Sequence, residues 1–495
     1  MHRRGGGILA LALAALALAA SAALAAGAAA QTPLQATVSP ATVGQPMAPG
    51  FVGLSLEYSA LHVYTGRDPL QVNPVFEALV RNLAPGQAPV LRIGGGSADA
   101  TWWPVRGLLP PGGVDYRLTP GWLRTTKALA SALGARLILG VNLAASRPAL
   151  AAAEARAFVH GIGQPYIQAL EIGNEPDIYN VIPWYTDKRG RVFFSRAGNY
   201  NFSRYLAEFA RFRAALPPLP LAGPATAGLT WLGGLNQLLA AEPRLRVVTV
   251  HRYPLRACVT NPSQPGFPSI PSLLADQASS GLAQGIAPYV AVAHARGVPL
   301  RLAEMNSASC SGKRGVSDTF ASALWALDTL FNLASVGVDG VNVHSLPGAG
   351  YELFTFTRLF GHFLAFVHPE YYGLMLFAQA FPPGAQLLQA SAPGGPVKLW
   401  ATHAPDGHTR VVLINKDPSA AHEVAVSVPG ASAASLDWLT APSAAATSGV
   451  TLGGQTFGGE TPTGLLGPPQ TVPISAVAGA YAVNLPPASA VMLTQ

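Results

Sequence analysis

The chain is poor in charge. Only 11% of its 495 residues are Asp, Glu, Lys or Arg, whereas 49% are apolar. So few charges predict a neutral, loop-rich surface with little room for ion-pair networks, and 52 glycines and 44 prolines supply the loops. Runs of Lys and Arg are absent, which excludes the basic footprint of a nucleic-acid binder. Past residue 30 no apolar stretch of about 18 residues continues without polar interruption, so no membrane span is expected after the first 30 residues are removed. No His/Cys/Asp/Glu group has metal-ligand spacing and no glycine loop has the phosphate-binding pattern, so neither a metal nor a cofactor is expected. Cysteine is nearly missing too: Cys258 and Cys310 are the only two.

The first 30 residues have the form of an export signal. His2-Arg3-Arg4 is basic, Ile8 to Ala25 is rich in Leu and Ala, and small residues prepare a cleavage near Ala30. A retained membrane anchor is the alternative. Either way, the rest of the chain is expected outside the cytoplasm, secreted or periplasmic. Cleavage would take away Arg3 and Arg4 and no acid, lowering the formal charge from +7 to +5. A modest positive excess suits an anionic polymer without indicating one.

Between residues 50 and 345, short apolar runs alternate with Ala/Leu-rich helical stretches. The runs are Phe51–Tyr58, Pro89–Gly94, Arg136–Val141, Ala169–Gly173, Leu219–Ala222, Val247–His251, Leu300–Glu304 and Gly340–His344. Near-continuous apolar strands separated by helices predict a parallel sheet, and eight of them predict a (β/α)8 barrel. After residue 385, short strands separated by Pro, Gly, Ser and Asp turns predict an antiparallel β-sandwich. Leu34–Val43 lies before the first barrel strand and is expected to pair into that sandwich. The organisation is therefore a signal at 1–30, a sandwich strand in 31–48, an α/β barrel of the TIM type over 49–384 and the sandwich over 385–495. Ala444–Pro469 reads as a long loop.

Barrel chemistry sits at the C-terminal ends of the strands. There the sequence places Glu57, Gly96-Ser97, Asn142, Asn174-Glu175, His251, Tyr253, Glu304 and His344. Two carboxylates facing each other across such a barrel are what a retaining glycosidase needs. One protonates the leaving oxygen, the other attacks the sugar carbon, and they stand about 5–5.5 Å apart. Glu175, ending the fourth strand before Pro176, is the candidate acid/base, and Glu304, ending the seventh, the candidate nucleophile. Asn174 is expected on the sugar 2-hydroxyl. Tyr253 is expected to donate to Glu304 and keep it ionised. Glu171 belongs to the strand interior and is expected in a structural ion pair.

Other groups leave two readings open. Glu57, Gly96, Ser97 and Asp99 either bind sugar hydroxyls or hold the rim. Trp102 and Trp103 either stack on a sugar or pack. Lys188, Arg189, Arg191 and Arg196, in the stretch from Trp184 to Tyr205, either line leaving-group subsites for a sulfated or uronic polymer or are solvated. His251 and His344 read as satisfied strand-end histidines.

In Ala169-Leu170-Glu171-Ile172-Gly173-Asn174-Glu175-Pro176, Glu304 to Phe320, Val90-Leu91-Arg92-Ile93-Gly94-Gly95 and Gly348-Ala349-Gly350-Tyr351 the chain resembles glycoside hydrolase family 79, the group of heparanase and related β-glucuronidases, in a bacterial-type form. The resemblance implies cleavage of glucuronic-acid-containing oligo- or polysaccharides such as heparan sulfate. It also implies that the loop after Glu304 holds the glucuronate carboxylate through its backbone, helped by Tyr351. That loop is usually glycine-rich; here it reads Ser309-Cys310-Ser311-Gly312, and only Gly312 is expected to turn freely. Cys258 lies seven residues past His251 and Cys310 six past Glu304, so adjacent strands present both above the rim and a disulfide is expected. The alternatives are a retaining glycosidase of another specificity and a non-catalytic carbohydrate-binding protein.

Overall fold

A computed structural model describes residues 32–495. The expected signal segment lies outside the described residues. Eight parallel strands close into a barrel: β1 (Val52–Glu57), β2 (Val90–Gly94), β3 (Arg136–Val141), β4 (Ile167–Ile172), β5 (Leu221–Thr226), β6 (Leu245–Arg252), β7 (Leu300–Met305) and β8 (Gly340–Ser345). Register runs from Leu54 beside Leu91 in β1–β2 round to Val341 beside Val52, which closes the ring. Strands buried on both faces need apolar residues on both, which is why these runs do not alternate. Inside the ring, Val90, Ile138, Ala169, Ala222 and Val247 form an apolar floor. Side chains two residues apart share a strand face, so Arg92 stands above Val90 and Glu171 above Ala169.

The helices begin where capping chemistry starts them. Asn73 accepts from the Val75 and Phe76 N–H groups ahead of helix Pro74–Leu83, Thr119 caps Pro120–Leu133 and Asn201 caps Phe202–Ala215. Among the described residues no helix is long and apolar enough to cross a membrane.

The second domain is one ten-stranded sheet folded on its own core of Val397, Leu413, Val424, Val483, Leu493 and neighbours. Leu34–Val43 takes part: it pairs antiparallel with Gln386–Ser391 and parallel with His422–Ser427, burying Ala36 and Val38. The segment 444–469 is a docked loop apart from Thr451–Leu452, which pairs with Leu439 and Thr440 at the sheet edge. Its Ala444 and Ala446 carbonyls accept the Ala321 and Phe320 N–H groups at the start of helix Phe320–Ser335, and Phe457 packs on Tyr371 and Tyr372. The domains are also tied by a buried cluster. Lys416 contacts Asp328 and donates to Ser279 at 2.9 Å, while the Trp400 indole donates to Asp328 at 3.0 Å.

Candidate active site

Gly173 ends β4 at φ 82°, where any Cβ would stand 2.7 Å from Leu143 and 2.8 Å from the Tyr179 hydroxyl. Two residues on, Glu175 adopts a left-handed backbone, φ 54° and ψ 52°. That conformation is costly for a side-chain-bearing residue and persists where the surroundings impose it. Here Glu175 N–H donates to Ala225 O at 2.8 Å, and Asp177 accepts from the Ala227 and Gly228 amides at 2.9 Å each. The turn after β4 is thus pinned to the turn after β5, and the Glu175 carboxylate points over the barrel mouth.

Glu304 is 7% exposed in the same mouth. One oxygen accepts from Tyr253 at 2.8 Å and the other from Arg92 Nη1 at 2.6 Å. A Glu175 oxygen, a His251 ring nitrogen and a Glu304 oxygen all lie within 4.8 Å of one another. His251 Nδ1 is 3.0 Å from Glu175 and 3.9 Å from Glu304; His344 Nδ1 is also 3.9 Å from Glu304. Three ligand atoms so close also satisfy the spacing of a cation site. Both Glu304 oxygens are already committed to Arg92 and Tyr253, however, and Arg92 is itself a fixed cation, so the donor set fits a carboxylate pair better than a metal cage.

Arg92 is the hub. Fully buried, it donates through Nε to Glu171 at 2.8 Å, through Nη1 to Glu304 and to Ser55 at 3.2 Å, and through Nη2 to Asn174 at 2.9 Å. Its planar fork suits several acceptors at once. Glu171 is the structural partner, at 2.7 Å from Nη2 and without exposure. Burial alone would raise the Glu304 carboxyl. The His344, His251 and Arg92 charges and the Tyr253 hydroxyl outweigh it and hold Glu304 well below the usual carboxylate range. Burial would lower His251, but Glu304 and Glu175 reverse this and raise it.

The rim residues settle into different tasks. Glu57 accepts from Gly96 N at 3.0 Å, Ser97 N at 2.8 Å and the Ser97 hydroxyl, so these three bind one another and shape the loop after β2. Asp99 is buried and accepts from the Leu143, Ala144 and Asn174 amides and from Tyr179 at 2.5 Å. It positions Asn174, and burial pushes its carboxyl up to about 6. Trp103 packs against the core. Arg196 is enclosed by Glu208 and the Leu143 and Ala144 carbonyls, and Arg191 pairs with Asp187 at 2.7 Å.

After β7 the chain pairs briefly, Ala308–Ser309 beside Leu255–Arg256, and Cys258 is joined to Cys310 with Cα atoms 5.8 Å apart. Contrary to the expectation that only Gly312 turns freely, Cys310 and Ser311 are left-handed as well, at φ 59° and 64°, followed by Gly312 at 74°. The disulfide and a Gly350 N–H to Ser311 O bond of 2.7 Å hold that shape. A Cβ on Gly312 would meet Tyr351 at 2.8 Å, so glycine there lets the loop lie against the Tyr351 backbone and ring. The Tyr351 ring in turn lies 6.2 Å from Tyr253 and 5.7 Å from His344. Ser309, Cys310, Ser311 and Tyr351 therefore flank the Glu304 side of the mouth.

The site residues that sequence reasoning missed are Arg92, His251 and His344. Arg92 stood in a recognised motif without a role, and both histidines read as structural; all three surround Glu304. The usable signal was a cation inside an otherwise apolar strand, which must find a buried anion.

Residues 399–492 match the family model described as the glycosyl hydrolase family 79 C-terminal beta domain. A β-glucuronidase of Neurospora crassa is 24% identical over 360 residues, covering 64% of this chain. The chain spans 61% of that relative's length. Among solved structures, a 4-O-α-L-rhamnosyl-β-D-glucuronidase of Fusarium oxysporum superposes with a TM-score of 0.73 at 20% identity, covering 93% of this chain and all of the other. A family 51 arabinofuranosidase of Xanthomonas axonopodis gives 0.66 at 17% identity, covering 93% and 99%. At these identities the solved structures establish the fold, an eight-stranded parallel barrel with an appended β domain. Together the similarities support a glycoside hydrolase and its affinity to family 79. The bacterial-type expectation is not borne out; both glucuronidases matched are fungal.

Proposed function

We propose that the chain is a retaining β-glucuronidase of the family 79 kind, acting on glucuronic-acid-containing glycans or glycosides. The single observation that carries this reading is the Glu175–Glu304 pair, whose nearest carboxylate oxygens approach within 4.8 Å across the barrel mouth. Such a close approach supports the shorter, retaining spacing of about 5–5.5 Å between carboxyl groups over the inverting one of about 6.5–9.5 Å.

In the first step a Glu304 oxygen attacks the anomeric carbon. The bond to the leaving oxygen breaks and Glu175 gives that oxygen its proton. In the second, Glu175 takes a proton from water as the water oxygen attacks the same carbon and Glu304 departs. Arg92 and Tyr253 keep Glu304 ionised for the attack, and Asn174, oriented by Arg92 and Asp99, meets the sugar 2-hydroxyl. The Ser309–Gly312 loop with Tyr351 receives the glucuronate carboxylate. An exported, extracytoplasmic location agrees with the Cys258–Cys310 bridge.

The test is steady-state turnover of aryl β-glucuronide beside aryl β-glucoside, with NMR of the first product. The expected results are a strong preference for the glucuronide, the β-anomer as first product, and loss of turnover in Glu304→Gln. Equal efficiency on the glucoside would overturn the acid specificity, and an α-anomer would overturn the retaining mechanism.

A further inference from the structure

On the Glu175 side of the mouth lies a cavity of about 210 Å³. It is lined by Glu175 and Asn174, by Ile178, Ile182 and Trp184, and by Gly96 among others. None of the groups around the nucleophile (Tyr253, His344, Tyr351) lines it. A cavity that shares the proton donor but not the nucleophile is where a departing group sits. This assignment rests on the proposed glucuronidase reading.

The cavity's chemistry is unusual for a site facing an anionic glycan. No Lys or Arg lines it. Apart from Glu175, its only acid is Asp99, whose oxygens are committed to three backbone amides and Tyr179. Its outer wall is the hairpin of Pro183–Thr186 paired with Val192–Phe194. On and beside that hairpin Val181, Ile182, Val192 and Phe194 are 60%, 55%, 50% and 47% exposed, and Ile182 lines the cavity itself.

The hairpin is also fixed in place. The Trp184 indole N–H donates to Asp99 O at 3.2 Å, and the Tyr185 ring stacks on Phe193 at 4.7 Å. Tyr185 also closes on Gly112 and Gly113, where a Cβ would come within 2.6 Å and 2.5 Å of its ring or hydroxyl. Lys188 and Arg189 sit at the far turn, roughly 20 Å along the chain from Ile182. Arg196 lies behind the cavity wall, 5.3 Å over the Tyr179 ring and donating to Ser195 at 2.8 Å, with its charge paired to Glu208 at 2.8 Å.

We infer that the leaving-group subsite takes an uncharged, ring-bearing aglycone that lays an apolar face on Trp184 and Ile182, and that it discriminates against sulfated or carboxylated leaving groups. An anion here would lose hydration without gaining a cation. A flat or ring-faced neutral group would cover Ile182 and stack on the Trp184 indole.

The experiment compares two aryl β-glucuronides of matched leaving-group acidity, one neutral and one carrying a ring sulfonate, on the full chain. The wild type should favour the neutral substrate in kcat/KM by about tenfold or more. Ile182→Lys changes an exposed position and should preserve the fold. It should raise kcat/KM for the sulfonate and narrow the ratio several-fold. Trp184→Ala should raise KM for the neutral aryl substrate more than for methyl β-glucuronide, whose leaving group is too small to stack. Glucuronide turnover with equal or better efficiency on the sulfonate would overturn this inference and leave the activity standing. Absence of turnover on every glucuronide would overturn both.

Discussion

Replacing Arg92 by Lys keeps the charge and removes the fork. In the native site the guanidinium reaches Glu171 and Asn174, in β4 and the turn after it, at 2.8 and 2.9 Å, and Glu304 at the end of β7 at 2.6 Å. A lysine ammonium extends from one point and can satisfy one of these partners well. Two charge-assisted hydrogen bonds are then lost, each worth about 1.5–3 kcal/mol, so Arg92→Lys should cost roughly 3–6 kcal/mol. Since whole-domain stabilities are about 5–15 kcal/mol, the variant should fold but be markedly weakened. Asn174 and Glu304 would each lose a positioning contact, and misplacement by about 1 Å is enough for a loss near 10²-fold in kcat/KM. Urea unfolding followed by tryptophan fluorescence reads the first effect and steady-state kinetics on an aryl glucuronide the second. A destabilisation under about 1 kcal/mol together with kcat/KM within threefold of wild type would refute the hub.

Three further outcomes follow from the same geometry. Glu304 is held below the usual range in the folded protein, so its ionised form contributes stability that is fully present above the unfolded value and lost as pH falls through the folded one. The acid limb of kcat/KM set by the nucleophile should accordingly lie below about pH 4, and Tyr253→Phe, which removes a donor, should move it upward; an unmoved limb would show that Tyr253 only packs. Alkylation under non-reducing, denaturing conditions should find no free thiol, and reducing the bridge, which spans 52 residues, should lower stability by up to roughly 4 kcal/mol and raise KM for glucuronides by loosening the Ser309–Gly312 loop. Asp328→Asn strands the buried Lys416 between the domains and should cost about 3–5 kcal/mol, whereas the double change Asp328→Leu with Lys416→Met should recover most of it; calorimetry that shows the double variant no better than the single one would argue against the buried pair.

The barrel was legible because the strands are short apolar runs and seven of the eight stop at a polar residue. Glu175 and Glu304 stood out for the same reason, as acids at such stops. Within the β domain, Gln386–Ser391 and Ala433–Thr440 carry a weak strand signal, because they are only half buried and mix Gln, Ser and Asp with Leu and Trp. What the sequence hid most completely was pairing across distance. Arg92 meets Glu304 over 212 positions, and His251 meets Glu175 over 76. Nothing local marks a histidine at a strand end as catalytic neighbour rather than filler; that depends on which acid the barrel brings opposite.

The strand Leu34–Val43 has a consequence for how the molecule is made. Thr37 pairs with Ser391, and Leu34 with Val424, so the earliest strand to leave the ribosome waits for partners synthesised more than 350 residues later. Until then it is an unpaired edge, and the second domain closes only at the end of synthesis, after the barrel sequence is complete. A fragment beginning at residue 385 would carry a one-strand gap between Gln386–Ser391 and His422–Ser427, two bare edges inviting any extended chain. Supplied separately, a peptide of residues 34–43 would be the natural filler of that gap, and the β domain is in this sense a split protein whose two pieces happen to be joined by a barrel.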